Sequence, residues 1–306
     1  MIRRTYALIL LVVGVLVLIA AVLKLLPGGA GLGAGLCFLG LLMTGLSFVP
    51  LREQTTDAPQ MSGVERVTGM FYQPARVFES LRARPHWLAP VLIIAVLSFA
   101  YTQAFMRRVT PERIISFTMD KVAESGFIPA DKVEAQKEAQ IAAAKSPVGI
   151  VAAGTNAFVG LFTFVAIFAA LYVLAVMMFG GRIGYWQSLA MTAYAWMPAI
   201  IIGRLLSLVI LYVKDPETLH PILGQETLVT DNLGALVSPA QHPILFSVAT
   251  AFGVLAFYRL WLTATGLNHA SEKFSKSSAW TVALIFWALG LLFAVALSAL
   301  FGNFIS

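Results

Sequence analysis

Few side chains in this sequence could start a reaction. Four histidines, His86, His220, His242 and His269, are scattered along the chain. None stands at ligand spacing from another histidine, from the lone Cys37 or from an acid. There is no Gly-x-Ser-x-Gly elbow. A His-Glu-x-x-His zinc helix, a phosphate-binding loop and a dinucleotide fingerprint are also missing. The histidines therefore read as residues of span ends and loops, and Cys37, inside an apolar run, as packing. No catalytic residue, metal ligand or cofactor site is expected. What remains is charge in unusual places. Arg204 and Arg259 lie within long apolar runs, where a charge is costly and by default a functional candidate. Arg204 follows Gly203, and its expected partners are carbonyls, Ser207 or an anionic group. Arg259 reads as an interfacial anchor beside Trp261, and Lys24 is placed to snorkel. Gln103, Asn156 and Thr192 suit hydrogen bonds between helices.

The elements that must carry these residues follow from composition. Of 306 residues, 59% are hydrophobic and 12% charged, about half the charged share of an ordinary soluble domain. A water-facing surface cannot be built from so few charges. All fifteen acids fall between Glu53 and Glu79, Glu112 and Glu138, Asp215 and Asp231, or at Glu272. The apolar runs between them hold none. Proton- or cation-coupled transport usually needs intramembrane carboxylates, so that class is disfavoured, while a channel or lipid-moving protein stays open. The net charge of +6 reads as loop residues facing anionic lipid rather than nucleic acid.

Seven runs are long enough to cross a bilayer at about 20 residues each: Thr5 to Val22, Gly31 to Val49, Trp87 to Phe105, Val151 to Phe179, Ser188 to Val213, Pro243 to Thr263 and Trp280 to Leu300. The expected fold is an all-α polytopic transmembrane bundle, with a two-helix hairpin (1–50), a polar segment (51–86) and a five-helix core (87–306). The hairpin would turn at Pro27 and Gly28. Gly29 and Gly33, and Gly31 and Gly35, have the small-xxx-small spacing that lets helix backbones approach closely. With the N-terminus in the cytoplasm, eleven basic residues fall on the cytoplasmic side and nine opposite. Arg3 and Arg4 ahead of the first run favour that orientation, which leaves the C-terminus outside.

The polar segments have helical signals of their own. Ser62 and Glu65 fit a capping box, and Pro74 can open a second short helix. Val64, Val67 and Phe71 recur on one face, as do Pro74, Val77, Phe78 and Leu81. With Arg76, Arg82 and Arg84 elsewhere, the segment suits an amphipathic helix in the headgroup layer, its arginines meeting lipid phosphate and Phe71 and Phe78 sinking into acyl chains. Packing against the bundle's own inner face is the alternative. Residues 107–147 read as a charged helical hairpin, opened at Thr110-Pro111-Glu112, with a stripe of Ile114, Ile115, Met119 and Val122 and a break at Gly126 and Pro129. Lys214 to His242 reads as an irregular loop.

The pattern Phe71-x-x-Pro74-x-x-x-Phe78-x-x-Leu81-x-x-x-Pro85-x-Trp87-x-x-Pro90 resembles the segment that leads into the first span of the Yip/Yif family. The similarity continues at Gly184-Tyr185-Trp186-Gln187-Ser188-Leu189, Tyr194 and Pro198. It is looser at Gly266-Leu267, Lys273 and Lys276, and it covers roughly residues 64 to 302. The two N-terminal runs and the charged hairpin depart from the family pattern. The resemblance implies a cytoplasmic segment before five spans and a C-terminus on the far side. It also implies a membrane protein of the kind linked, in eukaryotes, to Rab GTPases and vesicle traffic. The function expected is a scaffold or adaptor in membrane organisation, without catalysis. Its partners would be the lipid bilayer and a membrane or cytoplasmic protein, and its location the plasma (inner) membrane if bacterial. The alternative is a transporter or channel for a lipid or small anion, with Arg204 at its site.

Overall fold

The computed structural model describes residues 4–26, 28–50, 57–125, 129–239 and 241–301. Arg3, Pro27, Arg52 and Gly126 lie outside that set. The described chain is helical, and its only β pairings there are two isolated bridges, Arg182 with Glu272 and Asn232 with Gly253. Six helices are long and apolar enough to cross a membrane. They are α1 (Arg4–Val22), α2 (Gly29–Leu46), α5 (Leu88–Val109), α8 (Pro147–Met178), α9 (Tyr185–Val213) and α13 (Lys276–Phe301). The run expected as a single span at Pro243 to Thr263 is instead two helices, α11 (Pro243–Thr250) and α12 (Val254–Ala270).

A long-range cap explains that break. Gly253 is extended, and Asp231 arrives from the preceding loop. The Asp231 carboxylate accepts from the Leu255 N–H at 2.7 Å, and its carbonyl accepts from the Val254 N–H. An acid at a helix start satisfies orphan amides and faces the positive end of the helix dipole. The cap therefore starts α12 afresh, although the apolar pattern runs through without interruption.

The chain forms two compact units. The first combines Met1–Arg52 with Thr110–Ala166, and the second Glu53–Val109 with Ile167–Ser306. In the first unit α1 and α2 pair along their length. Gly28, at φ 79°, turns the chain between them, a conformation open to glycine at little cost. A Cβ on Gly33 would lie 2.8 Å from the Leu18 backbone nitrogen, one on Gly14 2.6 Å from that of Cys37, and one on Gly40 2.6 Å from that of Leu11. Gly31 and Gly35 instead face Asn156 of α8, while Gly29 meets Leu26 of its own turn. The four glycines of the motif thus serve different neighbours.

The charged segment of this unit is a hairpin of α6 (Pro111–Ser125) and α7 (Ala130–Lys145). Ile115, Met119 and Val133 bury one another, with Ile141 and Ala144 packed alongside. Lys145 closes the open end on Glu112, and its ammonium holds the Glu112 carboxyl below the ordinary carboxylate range.

Replacing Gly33 with leucine is expected to cost about 1–3 kcal/mol by overpacking. The same change at Gly45, where a Cβ meets nothing within 4 Å, should be near neutral. Thermal unfolding of the two purified variants in one detergent measures the difference.

Candidate functional site

In the second unit a set of polar side chains is arranged around two short helices, α3 (Gly63–Gly69) and α4 (Pro74–Ser80). Sequence builds both locally. The Ser62 hydroxyl accepts from the Glu65 N–H and the Glu65 carboxylate accepts from the Ser62 N–H, so the capping box is complete. Those bonds hold the Glu65 carboxyl below its ordinary value. Pro74 occupies the first turn of α4, where its missing N–H costs nothing.

One face of α3–α4 is buried. Met70, Val77, Phe78 and Leu81 are fully enclosed. Gly266 of α12 admits this face, since a Cβ there would lie 2.8 Å from Met191 of α9 and 3.1 Å from the Phe78 ring. Phe78, expected among acyl chains, is therefore a core residue of the protein. Arg82, expected at lipid phosphate, is turned inward as well. Its Nε donates to the His269 carbonyl at 2.7 Å and its Nη2 to the Ser271 carbonyl at 2.9 Å. A cation there satisfies the last carbonyls of α12 and faces the negative end of its dipole. The Arg82 carbonyl in turn accepts from Gln187 Nε2 at 3.3 Å, and Glu79 meets His269 Nδ1 at 2.9 Å. Phe71, Arg76 and Arg84 remain exposed, as do Val64 and Tyr72.

Sequence reasoning did not single out Arg66, which is only 2% exposed. Its Nε donates to Ser80 Oγ at 3.0 Å, and among the described residues it has no acid partner. Burial pushes the guanidinium below its ordinary value; Tyr194 opposes that shift and Arg84 adds repulsion. Tyr194, on α9, is 0% exposed and its hydroxyl has no hydrogen-bond partner among the described residues. The same is true of Gln187 Oε1, two helical turns away on α9. The signal that was available is positional: Arg66 shares the inner face of α3 with Gly69 and Met70.

Elsewhere in this unit, the arginines of the apolar runs also lean on neutral partners. Arg204 Nη1 donates to the Gln225 carbonyl at 3.2 Å, and its guanidinium lies 4.9 Å from the Tyr101 ring centroid. Tyr101 donates to the Gly224 carbonyl, while Ser207 Oγ meets Thr227 Oγ1 and accepts from the Leu228 N–H. These bonds dock α10 (Leu223–Glu226) and the residues after it onto α5 and α9. Arg204 thus ties down a loop. Arg259 is not at the end of its helix but on the second turn of α12, with its guanidinium 5.9 Å from the Trp196 ring. Thr192 hydrogen-bonds within its own helix, to the Ser188 carbonyl, rather than across to another.

Apolar helices of spanning length and a bundle closed by a short-helix cap define a multi-pass integral membrane protein. The Yip1 domain family model matches residues 68–297. The chain belongs to that family, which is in general one of membrane proteins without enzymatic activity. No curated protein and no solved structure matched.

Phe78→Ala is expected to destabilise the fold by about 3–5 kcal/mol, the usual cost of emptying a buried phenylalanine site. Phe71→Ala should cost under about 1 kcal/mol, as exposed positions do. Thermal or denaturant unfolding in detergent separates the two.

Proposed function

We propose that this protein is a non-catalytic scaffold or adaptor that organises its membrane, and that the exposed edge of α3–α4 is its working surface. The observation that carries the reading is the make-up of that edge. Val64 is 75% exposed, Phe71 45% and Tyr72 65%, and Arg76 and Arg84 of the same segment are exposed as well. Aromatic and aliphatic groups among arginines suit the boundary between acyl chains and anionic headgroups. Because α4 is packed onto α12, and α3 onto α4 and α5, the edge is held against the protein and is not a floating helix. A membrane or cytoplasmic protein could use the same edge.

The charge distribution supports a cytoplasmic position for this edge and for the N-terminus, with the C-terminus outside, and so does the family pattern of a polar segment before the spans. If the source is bacterial, the membrane is the plasma membrane. The scaffold reading is favoured over transport at Arg204, because that guanidinium has a carbonyl partner and a ring to lie on.

A depth measurement tests the surface role. A fluorophore at Phe71→Cys, in a Cys37→Ala background, is placed in nanodiscs containing headgroup- or chain-labelled quencher lipids. Strong quenching near the headgroups is expected, weakened by Arg76→Glu with Arg84→Glu in anionic discs but not in zwitterionic ones. A probe that no labelled lipid quenches would overturn the lipid-surface reading.

A further inference from the structure

We infer that Arg66 and Tyr194 form a binding site for a phosphate group, carried either by a phospholipid headgroup or by a soluble phosphate compound. The site goes beyond the lipid-facing edge: it lies on the inner side of α3, and either can fail without the other.

Arg66 carries a charge that burial penalises. A charge taken out of water is normally paired with an opposite charge or lost. Arginine cannot shed its proton, and no acid among the described residues pairs with it. Its Nε donates to Ser80 Oγ, and the two Nη groups remain as donors. The neighbouring charges add to the imbalance. Arg84 interacts repulsively with Arg66, and both arginines lower the pKa of His86, after burial.

Tyr194 supplies the independent observation. Its hydroxyl is fully buried, has no partner among the described residues, and lies close enough to Arg66 for the two to interact electrostatically. A buried hydroxyl without a partner is destabilising, and phenylalanine would fill the same space without that cost. A phenolic donor within electrostatic reach of an uncompensated guanidinium offers O–H and N–H donors to one anion. Phosphate oxygens suit such a set, since guanidinium–phosphate pairs are charge-assisted and geometrically matched. The cover over the site is thin: α3 is seven residues long, and Gly63, Val64 and Glu65 on its outer side are exposed.

The test uses the full-length protein in uncharged detergent. Thermal unfolding is followed with inorganic phosphate against chloride at matched ionic strength. In parallel, native mass spectrometry follows retention of phosphatidylglycerol against phosphatidylcholine. The decisive variant is Tyr194→Phe, which keeps the ring and removes only the hydroxyl; Arg66→Gln is the companion. Without ligand, Tyr194→Phe should unfold at the same temperature as the parent or higher. With ligand, its affinity should fall about tenfold or more, as loss of a hydrogen bond to a charged group implies. A phosphate-induced rise in unfolding temperature that Tyr194→Phe abolishes assigns the site to soluble phosphate. Retained phosphatidylglycerol that Tyr194→Phe releases, without a phosphate effect, assigns it to a lipid headgroup. Either supports the site. No response in either arm, or responses that Tyr194→Phe leaves unchanged, would overturn it and leave a buried water as the natural partner of both groups.

Discussion

The Arg82 guanidinium holds the head of the second unit together. It crosses 187 residues of sequence to reach the His269 carbonyl and 189 to reach the Ser271 carbonyl, and those oxygens are the unsatisfied end of α12. The same residue offers its own carbonyl to Gln187 at the start of α9. One side chain therefore fixes α4 against two helices at once, and the enclosure of Phe78, Met70 and Leu81 depends on that position. The bridge between Arg182 and Glu272, with hydrogen bonds in both directions, ties the adjoining loops in the same region. Once α4 is held there, α3 has little choice. Its capping box sets the start, its inner face is brought over Ser80, and Arg66 is carried inside.

The arginines share a strategy that follows from composition. With no acid in the apolar runs, a cation there leans on carbonyl oxygens, hydroxyls and aromatic faces, and Arg82 in the polar segment does the same. Arg82 uses two helix-end carbonyls, Arg204 a loop carbonyl and a tyrosine ring, and Arg259 a tryptophan ring. Such partners do not titrate near neutral pH, so these tethers hold across a range where carboxylate pairs would weaken. Glu79 meets His269 instead, at the head rather than in a spanning run.

What the sequence made legible was local. The capping box at Ser62, the proline start at Pro74, the turn at Gly28 and the helix start at Thr110-Pro111-Glu112 each rest on residues a few positions apart. The helical membrane class was equally plain, because long runs without acids leave no other architecture. What stayed hidden was set by distance along the chain. The break between α11 and α12 depends on Asp231, 24 residues before the amide it caps, and the apolar pattern through Ala251 and Phe252 gives no warning. The inward turn of Arg82 depends on carbonyls of a helix nearly two hundred residues away. Arg66 was obscured for a further reason: an arginine within a polar stretch reads as surface, and only the packing of α3 reveals that it is not.

That last point bears on how the two faces of α3–α4 relate. A short helix pair that served only to cap the bundle would need a polar outer face and an apolar inner one. Here the apolar residues are divided. Met70, Val77, Phe78 and Leu81 point in, while Val64, Phe71 and Tyr72 point out. The cations are divided as well, with Arg66 and Arg82 inward and Arg76 and Arg84 outward. A segment with apolar and basic residues on both faces is built to lie between two surfaces rather than on one. The inner surface is the bundle, fixed by Arg82. On the proposed reading the outer one is apolar and anionic together, and a bilayer rich in acidic headgroups meets both requirements at once.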